Sequence, residues 1–156
     1  MDLSYPHEVL FECIRCGSCC RDTDKRRRKI VLTSTDLNRI VDATNLSVNE
    51  FCRASHVAPE PFRHIMRESY GACIFLNKET TCSIYDSRPT ICRCYPFSIQ
   101  IDDSNVVFSA ASKTCPGLGR GHKLPEDFFE KLGREVLNNF KTSAESREDP
   151  KHDMHS

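Results

Sequence analysis

Four cysteines near the start of the chain form the pattern best suited to chemistry, Cys13-x-x-Cys16-Gly17-x-Cys19-Cys20. A C-x-x-C step lets the chain curl around one metal ion or cluster so that neighbouring thiolates reach it. Gly17 relieves crowding in that curl. The C-x-x-C-x-x-C register matches the start of the bacterial ferredoxin run, but the fourth ferredoxin cysteine is absent at its usual spacing. A further ligand must therefore come from elsewhere in the chain.

The adjacent pair Cys19 and Cys20 predicts a second site. Consecutive side chains diverge in a strand or a helix, so we expect the two thiols to serve different metals. A proline follows Cys115, as one follows the last ferredoxin cysteine, and this favours placing Cys115 with the first cluster. The hypothesis is one site of Cys13, Cys16, Cys19 and Cys115, and another of Cys20, Cys73, Cys82 and Cys92. Spacing alone does not give spatial proximity, so this grouping stays open.

Ten cysteines in 156 residues are the feature of the composition that most needs an explanation. With 38% hydrophobic residues and no tryptophan, the core is thin and the chain needs an additional staple. Residues 1–13 contain neither the apolar stretch of a signal peptide nor a lipid-anchoring motif, and no membrane span follows. We therefore expect a cytoplasmic protein with no membrane contact, whose cysteines are reduced and bind metal instead of forming disulfides.

The charge balance argues against nucleic acid as a partner. Lys and Arg total 22 against 22 for Asp and Glu, so the basic excess of nucleic-acid binders is missing. We interpret the basic run at residues 25–29 as a solvated loop. Among the arginines near cysteines, we favour Arg93, directly after Cys92, for offsetting thiolate charge. The expected partner is a redox or modification protein of unknown identity.

The remaining sequence predicts an α+β fold, a small metal-stapled single domain with a short antiparallel sheet and packed helices. Residues 30–32 form a strand, and a helix capped by Thr33, Ser34 or Thr35 follows. Ser47 and Glu50 form a capping box for a second helix that carries Cys52. Further predictions are a hairpin with Cys73 and Cys82 on its arms, a strand pair at 97–101 and 106–110, and a helix after Pro125. The domain spans residues 1–141, and residues 142–156 form a disordered tail.

Several motifs occur in an order that resembles a known family. They are Phe11-x-Cys-x-x-Cys-Gly-x-Cys-Cys, Leu32-Thr33 with Asp36, Gly71-x-Cys73-x-Phe75-Leu76, Cys82-x-Ile84-Tyr85-x-x-Arg88-Pro89-x-x-Cys92-Arg93-x-Tyr95-Pro96-Phe97, and Cys115-Pro116-Gly117-x-Gly119-x-Gly121. Over residues 11–121 the chain resembles the YkgJ-type cysteine-cluster family, also written CxxCxxCC, whose members are described as zinc- or iron-chelating domains. Its cysteine cluster is similar to that of the flagellin lysine methylases.

The resemblance implies metal binding by eight of the ten cysteines. Cys52 and Cys94 lie outside the shared pattern, and we interpret Cys52 as a core residue. The flagellin lysine methylases are thought to use an iron-sulfur cluster, which favours a [4Fe-4S] cofactor here over zinc. Their methyltransferase activity is not implied, because family similarity does not supply a reaction. The implied ligands are Cys13, Cys16, Cys19, Cys20, Cys73, Cys82, Cys92 and Cys115.

Three functions remain open at this point. The first is an iron-sulfur protein with an electron-transfer or redox-accessory role, the second a structural zinc-binding module, and the third a protein that handles iron or zinc. The glycines at 117, 119 and 121 lack the G-x-G-x-x-G spacing of a dinucleotide loop and instead suggest close passage of the backbone by a metal site. No catalytic residue is predicted, and the six histidines receive no role.

Overall fold

Four helices and ten short strands occupy the described part of the chain, which is residues 1–23, 27–110 and 115–147 of a computed structural model. This arrangement confirms the predicted α+β class. The helices are α1 (Ser34–Thr44), α2 (Val48–Phe51), α3 (Thr90–Cys94) and α4 (Glu126–Arg147). The strands are β1 (Asp2–Ser4), β2 (Leu10–Phe11), β3 (Val31–Leu32), β4 (Cys52–Ala54), β5 (His64–Met66), β6 (Glu68–Ser69), β7 (Ala72–Cys73), β8 (Phe97–Asp102), β9 (Asn105–Ala110) and β10 (Leu118–Lys123).

The largest sheet joins β8 and β9 as the predicted antiparallel hairpin, with β1 added in parallel beside β9. Helix α4 packs on it through Phe129, whose ring centroid lies 5.1 Å from that of Phe97 and 5.4 Å from that of Phe108. Val106 and Val136 are fully buried in the same cluster. These residues form one of two hydrophobic cores.

The second core lies under α1 and the three-stranded antiparallel sheet β3-β5-β4. Helix α1 begins at the expected cap, since Thr33 Oγ1 accepts a hydrogen bond from Asp36 N and Asp36 Oδ2 accepts one from Thr33 N. Such a reciprocal box satisfies two N–H groups at the helix start. Leu32 and Ile40 are buried in this core together with Phe51, Met66 and several cysteines.

Cys52 lies in β4 and not in the predicted second helix, because α2 ends one residue earlier at Phe51. The capping box of Ser47 and Glu50 is present as predicted. Cys52 is fully buried, and its thiol donates a hydrogen bond to Val48 O at 3.2 Å. Its interpretation as a core residue agrees with this position.

The hairpin predicted between Cys73 and Cys82 is reduced to a single bridge between Leu76 and Cys82. Strand β7, which ends at Cys73, pairs instead with β6. The turn forms as expected, with Asn77 N donating to Thr81 O at 2.9 Å. The second arm cannot extend the ladder, since residues 85–87 form a 3-10 turn that leads into Pro89, which has no N–H to donate.

Helix α4 continues to Arg147, past the boundary predicted at residue 141. Ser143 is buried, and its Oγ accepts a hydrogen bond from Ser34 N at 2.9 Å. The sequence beyond residue 141 is polar, but this end of α4 supplies a hydrogen-bond acceptor for a backbone N–H at the start of α1, where the helix itself provides no acceptor. That contact fixes the end of α4 against α1. Residues 148–156 of the predicted tail lie outside the described residues. Across the described ranges, every helix is too short or too polar to cross a membrane.

Candidate metal centre

One cavity of about 220 Å³ is lined by all eight cysteines implied as ligands. The ten cysteines of the chain are free thiols. Cys52 and Cys94 instead pack into the two hydrophobic cores, with 0% and 1% of their surfaces exposed. The thiols around the cavity are those of Cys13, Cys16, Cys19, Cys20, Cys73, Cys82, Cys92 and Cys115.

The first cysteine cluster is held in position by a left-handed glycine and a short 3-10 turn. Gly17 has φ 79°, a conformation that side chains disfavour, and Cys20 N donates to Gly17 O at 3.0 Å. A Cβ on Gly17 would also lie 3.0 Å from Thr80 O. The curl predicted at Gly17 is therefore present, and it packs closely against the turn that precedes Cys82.

Cys92 is positioned by the buried carboxylate of Asp36. Thr90 N and Thr90 Oγ1, at the start of α3, both donate to Asp36 Oδ1, at 2.9 and 2.8 Å. Asn139 of α4 donates to Thr90 Oγ1 at 2.9 Å. Burial raises the pKa of Asp36, an effect that these hydrogen bonds oppose. The network connects three helices and fixes the one that carries Cys92.

Cys13 and Cys115 reach the cavity through a close contact between two backbone segments. Glu12 N donates to Gly117 O at 3.1 Å, and a Cβ on Gly117 would lie only 2.3 Å from Glu12 O. Gly121 lies against the side chain of Glu12, whereas a Cβ on Gly119 would meet nothing within 4 Å. Of the three glycines, Gly117 lines the cavity.

The eight thiols separate into a deep group and an outer group. The outer thiols, Cys13, Cys16 and Cys115, pack in neither hydrophobic core. The deep thiols lie in or against the core beneath α1, and they are those of Cys19, Cys20, Cys73, Cys82 and Cys92.

Cys19 packs with Cys20 against the core beneath α1, although these adjacent thiols were expected to diverge. The two Sγ atoms are 3.8 Å apart. The prediction assumed helix or strand geometry, in which consecutive side chains diverge, but the 3-10 turn at residues 18–20 directs both thiols to the same side. Which thiols share a metal stays a prediction.

Hydrogen bonding and burial give the deep thiols different proton affinities. A hydrogen bond from Cys20 lowers the pKa of Cys19 and that of Cys82, and it raises the pKa of Cys20 itself. Burial raises the pKa of Cys73 to about 11 and that of Cys92 to about 12. Without metal, Cys20, Cys73 and Cys92 therefore hold their protons more tightly than Cys19 and Cys82 do.

Arginines and aromatic rings complete the lining, in which no carboxylate of the described residues takes part. The guanidinium of Arg88 lies 3.9 Å from the centre of the Tyr85 ring, and that of Arg15 lies 4.8 Å from it. Arg93, favoured from the sequence for offsetting thiolate charge, lines the cavity but is paired with Glu135 of α4.

Arg28 was missed by the sequence reasoning, which assigned residues 25–29 to a solvated loop. Its Nε donates to Cys19 O at 2.8 Å, and its charge lowers the pKa of Cys19 and opposes the rise at Cys92. Arg28 lies within a run of basic residues, so nothing in its residue type distinguished it from its neighbours. The only available signal was its place two residues before the buried Ile30.

Within the described ranges, no three His, Cys, Asp or Glu side chains converge closely enough to hold a single metal ion. The sulfurs instead surround a cavity. Thiolates are soft ligands that select zinc, copper(I) or iron-sulfur clusters, so the donor set fits such a group.

A model of the family CxxCxxCC, described as "Putative zinc- or iron-chelating domain", matches residues 12–116. The chain belongs to this family. The match covers the first cysteine cluster, the deep thiols and Cys115, and it confirms the predicted resemblance. Metal binding, by zinc or iron, is accordingly the activity that the family supports for this CxxCxxCC domain.

The CxxCxxCC domain is also similar to an uncharacterized protein of Methanocaldococcus jannaschii. The two are 29% identical over 137 residues, which covers 85% of this chain and 71% of the relative. No solved structure matches this chain.

Proposed function

We propose that the cavity thiols bind an iron-sulfur cluster, for which we expect the [4Fe-4S] form. We further propose that the protein has an electron-transfer or redox-accessory role. The observation that carries this proposal is the cavity itself. Eight thiols and several arginines surround about 220 Å³ without a lining carboxylate. Such a lining suits a bulky anionic group held by sulfur.

The number of sulfurs around one cavity supports a polynuclear cofactor over a single ion. A structural zinc ion draws four ligands to about 2.0–2.3 Å from one point. No three candidate side chains of the described chain approach that arrangement. A cluster places its irons at separate points, and each iron needs only one cysteine, so thiols around a cavity can serve it.

The surroundings of the thiols fit a cofactor that exchanges electrons. A bound iron-sulfur cluster supplies one-electron transfer. Buried Cys20 and Cys73 keep water from the deep side of the cavity, whereas Cys13 is exposed. This exposed edge is where we expect a redox or modification protein to approach, in the reducing cytoplasm that keeps the thiols free.

A structural zinc module is the second candidate, and the deep thiols favour it. Five of them lie in or against the core beneath α1, so a metal bound there would join α3, β7 and the 3-10 turn at residues 18–20. Metal that links elements of a small core contributes directly to folding free energy. This candidate predicts tightly held zinc and no sulfide.

The deciding experiment measures iron, zinc and acid-labile sulfide per chain in protein purified without oxygen. Iron matched by sulfide, with visible absorption, is the expected result. Zinc without sulfide would overturn the iron-sulfur proposal in favour of the structural module. Rapid loss of metal to a chelator would instead favour a protein that handles iron or zinc.

Serine variants test which thiols hold the cofactor. Cys20→Ser and Cys115→Ser are expected to lose most of the iron and sulfide, because serine is a poor ligand for iron-sulfur clusters. Cys94→Ser is the matched control, since Cys94 is buried but packs beside Phe97 and Val106, away from the cavity lining. Equal metal loss in all three variants would mean that the effect is general destabilisation and would contradict the assignment.

A further inference from the structure

The guanidinium of Arg28 is fixed beside the deep thiols by contacts to the backbone and to a ring. Its Nε donates to Cys19 O at 2.8 Å, and its Cζ lies 5.3 Å from the centre of the Tyr95 ring. Its own backbone N donates to Asp22 Oδ1 at 2.6 Å, and Asp22 N donates to Gly71 O at 2.7 Å. The side chain is therefore oriented before any ligand arrives.

One nitrogen of this guanidinium has no hydrogen-bond acceptor in the part of the chain that the structure describes. Arg28 Nη2 is buried, and no acceptor among the described residues lies within hydrogen-bonding distance of it. A buried N–H group without an acceptor costs about 1–3 kcal/mol, and more when it is charged. An orphaned donor held in place by a second hydrogen bond is the arrangement expected where an acceptor is supplied by a bound group.

The charge of Arg28 acts on two of the cavity thiols. Arg28 acts electrostatically on the thiols of Cys19 and Cys92, which come from opposite ends of the deep group in sequence. Cys19 and Cys92 both line the cavity, as does Tyr95 beneath the guanidinium. An anionic metal-thiolate centre in that cavity would present sulfur acceptors to the free nitrogen.

We infer that Arg28 positions and charge-compensates the metal centre by donating an Nη2–H hydrogen bond to a cysteine or inorganic sulfur of the bound cofactor. The inference rests on the proposed function. A cationic donor stabilises the more negative state of a cluster, so Arg28 raises the reduction potential and slows loss of the metal. Arg93 cannot supply the same charge as fully, because Glu135 is paired with it.

The test compares wild-type protein with Arg28→Gln, Arg28→Lys and the matched control Arg27→Gln, all reconstituted without oxygen. Arg27 is exposed and adjacent in sequence, so its variant removes the same charge from the protein surface. Each protein is assayed for iron and sulfide per chain, reduction potential by dithionite titration, and rate of metal release to a chelator. Dithionite supplies the single electron that the cluster gains.

The expected result is that Arg28→Gln has a more negative reduction potential and releases metal several-fold faster, while Arg27→Gln matches the wild type. Arg28→Lys keeps the charge and restores part of both effects. A Gln variant equal to wild type in potential and release rate would overturn the inference, as would a Lys variant no better than Gln.

The failure of the proposed function gives a different result from the failure of the inference. Wild-type protein that binds zinc without sulfide would contradict the iron-sulfur proposal, and the release rates of the zinc-loaded variants would still test Arg28. If Arg28→Gln does not load metal, Arg28→Lys is compared with wild type. Unchanged release and an unchanged potential in the Lys variant would then overturn the role of Nη2, because an ammonium group lacks that second nitrogen.

Discussion

At the scale of single residues, the buried cavity cysteines differ from the core residue Cys52 in their surroundings more than in their burial. Cys20 and Cys73 are as deeply placed as many core residues, yet each lies near other sulfurs. Hydrogen bonding with Cys19 and Cys82 raises the pKa of Cys20, so this thiol keeps its proton. Metal must displace such protons, so its binding strengthens as pH rises. Cys52 has no neighbouring sulfur among the causes that shift its pKa, and it behaves as a small apolar side chain.

The stability of the metal-free protein is expected to fall as pH rises from about 9 toward 11, in part because of Cys52. Burial raises the pKa of Cys52 from 9.0 to about 11. Below pH 9 the thiol is protonated in both states. Above pH 9 the unfolded chain loses the proton first, so the unfolded state is favoured until the folded pKa is passed. This thiol then contributes a loss of about 2–3 kcal/mol.

Urea unfolding of the metal-free protein between pH 8 and 11 measures this loss. Cys52→Ala is the comparison variant, since alanine cannot ionise and its stability should depend less steeply on pH across that window. Identical pH slopes in the two proteins would show that Cys52 does not keep its proton in the folded state.

At the scale of elements, buried polar groups hold one short helix between two longer ones. Helix α3 is five residues long, too short to be stable by itself, and its start is fixed by Asp36 of α1 and Asn139 of α4. Gly117 has the corresponding role for β2 and β10. The cavity therefore depends on contacts between elements distant in sequence.

Asp36→Asn is expected to destabilise the protein by about 1–3 kcal/mol, because the amide nitrogen would face a donor in either orientation. One carboxylate oxygen accepts from Thr33 N and the other from Thr90. The variant should also release metal faster, since Thr90 begins the helix that carries Cys92. Urea unfolding and chelator release measure the two effects.

Asp42→Asn is the control for this prediction, because Asp42 lies on the exposed face of the same helix. A stability loss of equal size in both variants would mean that helix charge, and not the buried network, is responsible.

Gly117→Ala is expected to separate β2 from β10 and to loosen the outer thiols, because its Cβ would lie 2.3 Å from Glu12 O. Metal release in the presence of a chelator should therefore quicken. Gly119→Ala is the matched control: its φ of +85° makes alanine costly by about 1 kcal/mol, but its Cβ meets no atom within 4 Å. If the Gly119 variant releases metal as fast as the Gly117 variant, backbone strain alone explains the effect.

At the scale of the whole molecule, the two hydrophobic cores differ in their dependence on metal. The core beneath α1 contains or contacts five cavity thiols. The core between α4 and the β1-β9-β8 sheet contains aromatic and aliphatic residues together with Cys94, which does not line the cavity. A metal centre would thus be part of one core and adjacent to the other.

Metal removal is expected to loosen the half around α1 and to leave the half around α4 folded. Without metal, the deep thiols place partly charged sulfurs close together in an apolar environment, which destabilises the surrounding core. The contact between Phe129 and Phe108 does not involve the cavity thiols and is expected to remain. The expected unfolding is therefore local to the half around α1. Hydrogen exchange before and after chelation tests it, and uniform protection loss in α4 and α1 would contradict it.

Local patterns in the sequence predicted α1, the start of α2, the start of α4 and the β8-β9 hairpin, because capping and periodicity act within a few residues. The family resemblance, and not local spacing alone, implied the set of cysteines that line the cavity. Helix α3 was not predicted, since it is held by contacts to Asp36 and Asn139. The membership of each thiol group was decided only by tertiary structure. Cys19 joined Cys20 because a 3-10 turn packs against a distant loop, and Arg28 entered the site because folding brought its loop against Cys19. Contacts between residues far apart in the chain leave no periodic signal. For this reason Arg28 was predicted to lie in a solvated loop, and α4 was predicted to end before its polar last turns.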